Sequence, residues 1–166
     1  MSNLKNVNLE VANFAMMCVE EVNKPEEKNC KDKRKETNKR KIDSKEYKSL
    51  VKRMSALIQK NGFIGTLVFN LSKVKKEHHK EVLKNIIEWN KKNLKINGIH
   101  KFKKDEMIFD ENNDVEIIKE YINWITKLEP VEYRLITKEM MSLFGWIKRF
   151  ADGMIEDKAE LIKGDQ

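Results

Sequence analysis

Residues 43–71, DSKEYKSLVKRMSALIQKNGFIGTLVFNL, decide the fold. Tyr47, Leu50, Val51, Met54, Leu57 and Ile58 recur at spacings of three and four, which puts them on one stripe of an α-helix. Asp43 or Ser44 precedes that stripe with a short side-chain oxygen able to accept from a first-turn amide. Asn61-Gly62 ends it with a left-handed stop. A short, nearly all-apolar helix through Ile64, Leu67, Val68 and Leu71 follows, and its apolar surround predicts a central position.

The same spacing extends outward in both directions. Leu4, Val7, Val11, Phe14 and Cys18 mark a first helix that ends before Pro25. Val82, Leu83, Ile86, Ile87 and Trp89 mark a fourth, ending near Asn93. Val115, Ile118, Tyr121, Ile122, Trp124, Ile125 and Leu128 mark a fifth, with Asp114 and Glu116 suited to the positive end of its dipole. Pro130 opens a last helix, expected to be the longest, through Tyr133, Ile136, Met140, Leu143, Phe144, Ile147, Phe150 and Met154. Only 6 Gly and 2 Pro serve 166 residues, whereas an all-β chain needs a turn roughly every 8–12 residues. The expected fold is therefore all-α, a compact bundle of about six helices in a single domain.

Charged residues make up 37% of the chain, against roughly 25% in ordinary globular proteins, so the apolar 40% must be confined to narrow faces. The formal charge of +7 favours a polyanionic partner. Lys31 to Lys41 (KDKRKETNKRK) carries seven bases against two acids. The basic segment at about 24–42 has too little apolar area to offset its ordering entropy, so it is expected to be a mobile linker or a frayed helical extension. The segment Leu94 to Asn113 is expected to be a loop, and the tail after Asp157 to be loose. Cys18 and Cys30 are too few for a disulfide framework, and free thiols are expected. No apolar run approaches the roughly 18 residues that span a bilayer, which with the Lys-rich composition predicts a cytoplasmic protein.

Catalytic constellations are hard to assemble from this chain. Its imidazoles are His78, His79 and His100, and adjacent helical residues point about 100° apart, so His78 and His79 cannot share a metal as an i, i+4 pair does. His79 falls near the Val82 and Ile86 face and is expected to be partly buried. The acids from Asp105 to Asp114 lack the alternating oxygens and central Gly of a calcium loop and read as a solvated segment. No phosphate-binding glycine loop, GxSxG elbow or HExxH motif is present, so neither an enzyme, a metal site nor a cofactor is expected.

Binding surfaces are easier to find. Lys45, Lys48, Lys52, Arg53 and Lys60 are expected to project from the outer half of the Asp43–Asn61 helix, where they would line up on a phosphate backbone or simply keep the helix in solution. On the last helix Arg134, Lys138 and Arg149 share a polar stripe with Gly145. A mid-helix Gly costs about 1 kcal/mol relative to Ala, which points to close approach, either by a partner or by another helix of the fold. Trp146 lies off the apolar stripe, as an interface anchor or as cover for a loop.

Two blocks taken whole add a resemblance: Tyr47 to Lys73 (YKSLVKRMSALIQKNGFIGTLVFNLSK) and Glu132 to Met154 (EYRLITKEMMSLFGWIKRFADGM). Their Tyr-x-Ser-Leu opening, Ser-Ala-Leu-Ile before Asn-Gly, Thr-Leu-x-Phe-x-x-Ser-Lys, Glu-Tyr-Arg-Leu, and Trp-Ile-Lys-Arg-Phe-Ala resemble the small helical subunit of the type III-B CRISPR effector, the Cmr complex. That resemblance implies a non-catalytic all-α protein repeated as an inner filament beside the backbone subunits, near guide RNA and target RNA. It further implies that target cleavage belongs to the backbone subunit and other activities to the large subunit. The chain departs from the family pattern in its basic segment Lys24 to Lys41 and at Ser55, where many relatives have Pro. Two other classes compete: an enzyme or enzyme regulator using the histidines and the acidic loop, and a stand-alone helical nucleic-acid-binding or regulatory protein, which would need a recognition helix.

Overall fold

The computed structural model describes residues 2–24, 41–93, 109–110 and 112–157. Expectations for the basic segment apart from its flanks, for residues 94–108 and 111 of the loop, for the tail, for Cys30 and for His100 fall outside those residues. Asp114, expected in a solvated acidic segment, is instead buried with its carboxylate 3.7 Å from Lys84 and 3.9 Å from Lys80. Among the described residues there are five helices and no strand: α1 (Ser2–Val22), α2 (Ser44–Ser72), α3 (Glu77–Asn93), α4 (Asp114–Ile125) and α5 (Pro130–Met154). The fold is all-α, as expected. The expected count of about six is met closely, since α2 holds two of the expected helices joined end to end across a kink. At 25 residues α5 is the longest uninterrupted helix, as expected, because the 29 residues of α2 are divided by that kink.

The two arms of α2 meet at a break at Gly62, whose φ of 74° and ψ of 167° leave the helical region and end the first arm at the expected Asn61-Gly62 stop. Positive φ is tolerated here because glycine has no Cβ. The second arm needs new partners for its first amides. Tyr133 of α5 supplies one, its hydroxyl oxygen accepting from the Ile64 N–H at 3.1 Å. Asp43 caps the first arm by accepting from Lys45 N and Glu46 N.

The break also resets the helical phase. The second arm buries Phe63, Thr66, Leu67 and Asn70 and leaves Val68 exposed, so the inner face is displaced from the expected Ile64, Leu67, Val68 and Leu71. Its two polar members are tolerated because each bonds back along its own helix. Thr66 Oγ1 donates to the Gly62 carbonyl at 2.9 Å and Asn70 Nδ2 to the Thr66 carbonyl at 2.9 Å.

One apolar cluster draws on all five helices, with Val19, Tyr47, Met54, Phe63, Leu83, Ile86, Ile118, Phe144 and Ile147 all buried in it. α2 lies between α3 and α5, and α1 packs along α5. Asn23 Nδ2 donates to the Met154 carbonyl at 2.9 Å, so the C-terminal ends of α1 and α5 meet. Buried tyrosines are satisfied by amides: Tyr47 accepts from Asn85 at 2.8 Å, and Tyr121 accepts from Asn90. Among the described residues no helix is long and apolar enough to cross a membrane.

Candidate nucleic-acid interface

The basic face of α2 begins at its capped end. Lys45, Lys52, Arg53 and Lys60 are exposed on the side away from the core, as their phase predicts. Lys48 is not. Its side chain is 7% exposed, and its ammonium donates to the Ile155 carbonyl at 2.8 Å and to Asp157 Oδ2 at 2.9 Å. The expectation that Lys48 projects outward is therefore corrected. It stands about 100° around the helix from Tyr47, at the edge of the core face. The segment that leaves α5 then covers that edge.

Two carboxylates meet these cations. Asp152 lies in the last turn of α5 and pairs with Lys52 at 3.1 Å. Asp157 pairs with Lys48, whose hydrogen bond holds the Asp157 carboxyl below the usual range, so it stays ionised at neutral pH. Arg53 Nε donates to its own helix at the Ser49 carbonyl, 3.3 Å away. Together Lys45, Lys48, Ser49, Lys52, Arg53 and Asp157 line a cavity of about 310 Å³. Sequence reasoning missed the acids, although one signal was available. A carboxylate in the last turn opposes the helix dipole, and with no base in that turn of α5, Asp152 requires a cation from elsewhere.

On α5, Arg134, Lys138 and Arg149 are exposed along the expected stripe. A Cβ placed on Gly145 would meet nothing within 4 Å, so no other helix of the described fold presses on it, and packing within the fold does not explain that glycine. Trp146 is half-buried against the core and stacks on Phe150 at 6.1 Å, while the Arg149 guanidinium lies 5.0 Å from its ring centre. The indole fixes the direction of that cation.

His78 and His79 are held in structural contacts. His78 Nδ1 lies 2.9 Å from Glu46 Oε2, and His79 Nδ1 lies 2.8 Å from Asn70 Oδ1. Burial lowers both from the ordinary imidazole value, His79 to about 4, with the neighbouring His78 as the next cause. His79 is buried rather than half-exposed. No group of three or more His, Cys, Asp or Glu able to hold a metal ion occurs among the described residues. Cys18 is buried in α1 with its thiol pushed up to about 12, chiefly by burial.

Fold and surface together define a small all-α protein with a basic helix face that begins at a capped helix start. Residues 7–154 match the family described as CRISPR-associated protein (Cas_Cmr5), and the chain belongs to that family, the small subunit of the type III-B CRISPR complex. Both blocks that carried the resemblance lie inside the match. Comparison with curated proteins and with solved structures finds no match. As a family member the chain associates with other Cmr complex subunits.

Proposed function

We propose that this chain is a non-catalytic subunit of the RNA-guided Cmr complex, supporting target RNA binding through the basic faces of α2 and α5 as part of its inner filament. Further copies of itself, the backbone and large subunits, guide RNA and target RNA are its partners, and the cytoplasm is its compartment. The observation that carries this reading is the outward array of Lys45, Lys52, Arg53 and Lys60 on one rigid helix, in a chain of net charge +7. Lysine and arginine on phosphates bind without reading bases, which suits a subunit that must accept any target chosen by guide pairing. Arg134, Lys138 and Arg149 form a second such stripe, and Gly145 with Trp146 marks where a neighbouring subunit comes close. Lys48 contributes charge from beneath the surface rather than as a projecting contact.

The test is a complex rebuilt with Lys52→Glu and Arg53→Glu, its affinity for target RNA followed across a salt series. Affinity should fall for unrelated target sequences alike, and the salt slope should drop by about 0.7 for every phosphate the subunit no longer neutralises. Helical content of the subunit should be unchanged. An unaltered affinity and slope would leave this face merely solvated, with the α5 stripe as the remaining candidate.

A further inference from the structure

We propose that the cavity between the first turns of α2 and the segment leaving α5 is a subsite for a single RNA phosphate diester, and that the Asp157 carboxylate fills its anion position until RNA displaces it. The proposal rests on the reading that the α2 face binds RNA and adds to it where one phosphate sits and what it must expel.

The ion pair between Lys48 and Asp157 is asymmetric. Lys48 is buried, at 7% side-chain exposure, whereas its partner Asp157 is 64% exposed. A buried ammonium stripped of its anion is strongly disfavoured, because water cannot replace the lost charge. An exposed carboxylate that lets go is rehydrated at little cost. The cation is thus fixed and the anion exchangeable. The Ile155 carbonyl, at 2.8 Å from Nζ, offers a dipole but no charge, so it cannot take over from Asp157.

A phosphate diester fits the same demand. It carries one negative charge and presents two acceptor oxygens, as a carboxylate does, so it can replace Asp157 without changing the local charge balance. The surroundings favour the exchange. Lys45, Lys52, Arg53 and the Ser49 hydroxyl line the same cavity of about 310 Å³, four cations with Lys48 against one lining carboxylate. Lys52 is already turned toward an acid, Asp152, at 3.1 Å, in a pair that is about half exposed on both sides. RNA entering here therefore meets cations that the chain keeps neutralised with its own carboxylates, and its gain is reduced by the pair it must break.

The experiment uses the full chain and a fluorescein-labelled single-stranded oligouridine RNA, with anisotropy read at several salt concentrations. Asp157→Asn should tighten binding about two- to five-fold, the size of one exposed ion pair. It should steepen the salt slope by about 0.7. Lys48→Gln added to Asp157→Asn should erase the gain. If Lys52→Glu with Arg53→Glu weakens RNA binding while Asp157→Asn changes nothing, the face binds RNA without this subsite and the proposal alone is overturned. If neither change matters, the RNA reading of the α2 face fails with it. If Asp157→Asn strengthens binding of a polyglutamate peptide of equal charge but not of RNA, the cavity takes protein carboxylates and the proposal is overturned. A readout that needs no substitution guards against misfolding of a variant: the side-chain carboxyl carbon resonance of Asp157 in the wild-type chain should shift toward that of a free aspartate as RNA is added. A resonance that stays put at saturating RNA overturns the displacement.

Discussion

Tyr133 shows how one side chain can decide the path of a helix it does not belong to. Its hydroxyl accepts from the Ile64 N–H at 3.1 Å, directly after the break at Gly62, and so serves as the cap that the second arm of α2 lacks in its own sequence. Replacing it by Phe leaves a half-buried amide without that partner, at a cost of about 1–2 kcal/mol. Tyr133→Phe should lower the midpoint of a thermal melt followed by circular dichroism while the helical content at low temperature stays near wild type; an unmoved midpoint would mean that water caps Ile64 equally well. The inner position of Tyr133 is visible in the periodicity of 130–154, and the stop at Asn61-Gly62 in the residue types. That the two meet is not, because nothing in a one-dimensional pattern relates residues 69 apart. Lys48 escapes the sequence for the same reason: helical phase puts it on the border of the core face, and only the segment after α5 decides on which side of the border it falls.

At the scale of elements, α2 and α3 are held together by polar contacts that run from buried Asn70, His78 and His79 out to exposed Glu46. Asn70 joins the second arm of α2 to His79 of α3, and Glu46 of the first arm faces His78. Lys73, Lys76 and Arg53 oppose a further positive charge on His79, in addition to its burial. His79 in the folded chain titrates at about 4 against an ordinary 6.5. Below 6.5 the unfolded chain takes up a proton that the folded chain refuses until about 4, so stability should fall as the pH drops through that window and stay level, for this group, above it. His78 shifts in the same direction, since burial outweighs the attraction of Glu46. Urea denaturation at several values from about pH 7 to about pH 4 should show this decline, and His79→Gln should make it shallower. A decline of equal steepness in the variant would assign it to other groups. The amphipathic helices α1, α4 and α5 are legible in the sequence because their apolar stripes run unbroken. The second arm of α2 is legible as a helix but its inward face is not, because that face includes Thr66 and Asn70, which only the reset phase and the i−4 backbone bonds make acceptable.

For the molecule as a whole, the Cys18 thiol reports on the integrity of the bundle. It is buried in α1, with its ionisation suppressed to about 12, so almost no thiolate is present at neutral pH. Iodoacetamide should modify Cys18 only as fast as α1 comes away from the rest of the bundle, with a rate that climbs with urea alongside the loss of helical signal, as peptide-resolved mass spectrometry can follow. Rapid labelling without denaturant would mean that α1 detaches by itself. That dependence of α1 on α5 also sets a sequence of events during synthesis. α1 leaves the ribosome well before α5, and the surface it packs along is made more than a hundred residues later. At roughly 5–20 residues per second, the nascent chain carries Val11, Ala15, Val19 and Val22 without their final neighbours for on the order of ten seconds. α1 thus waits for α5 before it can dock, and a chain interrupted before α5 presents an apolar stripe that a chaperone, or another unfinished chain, can grasp.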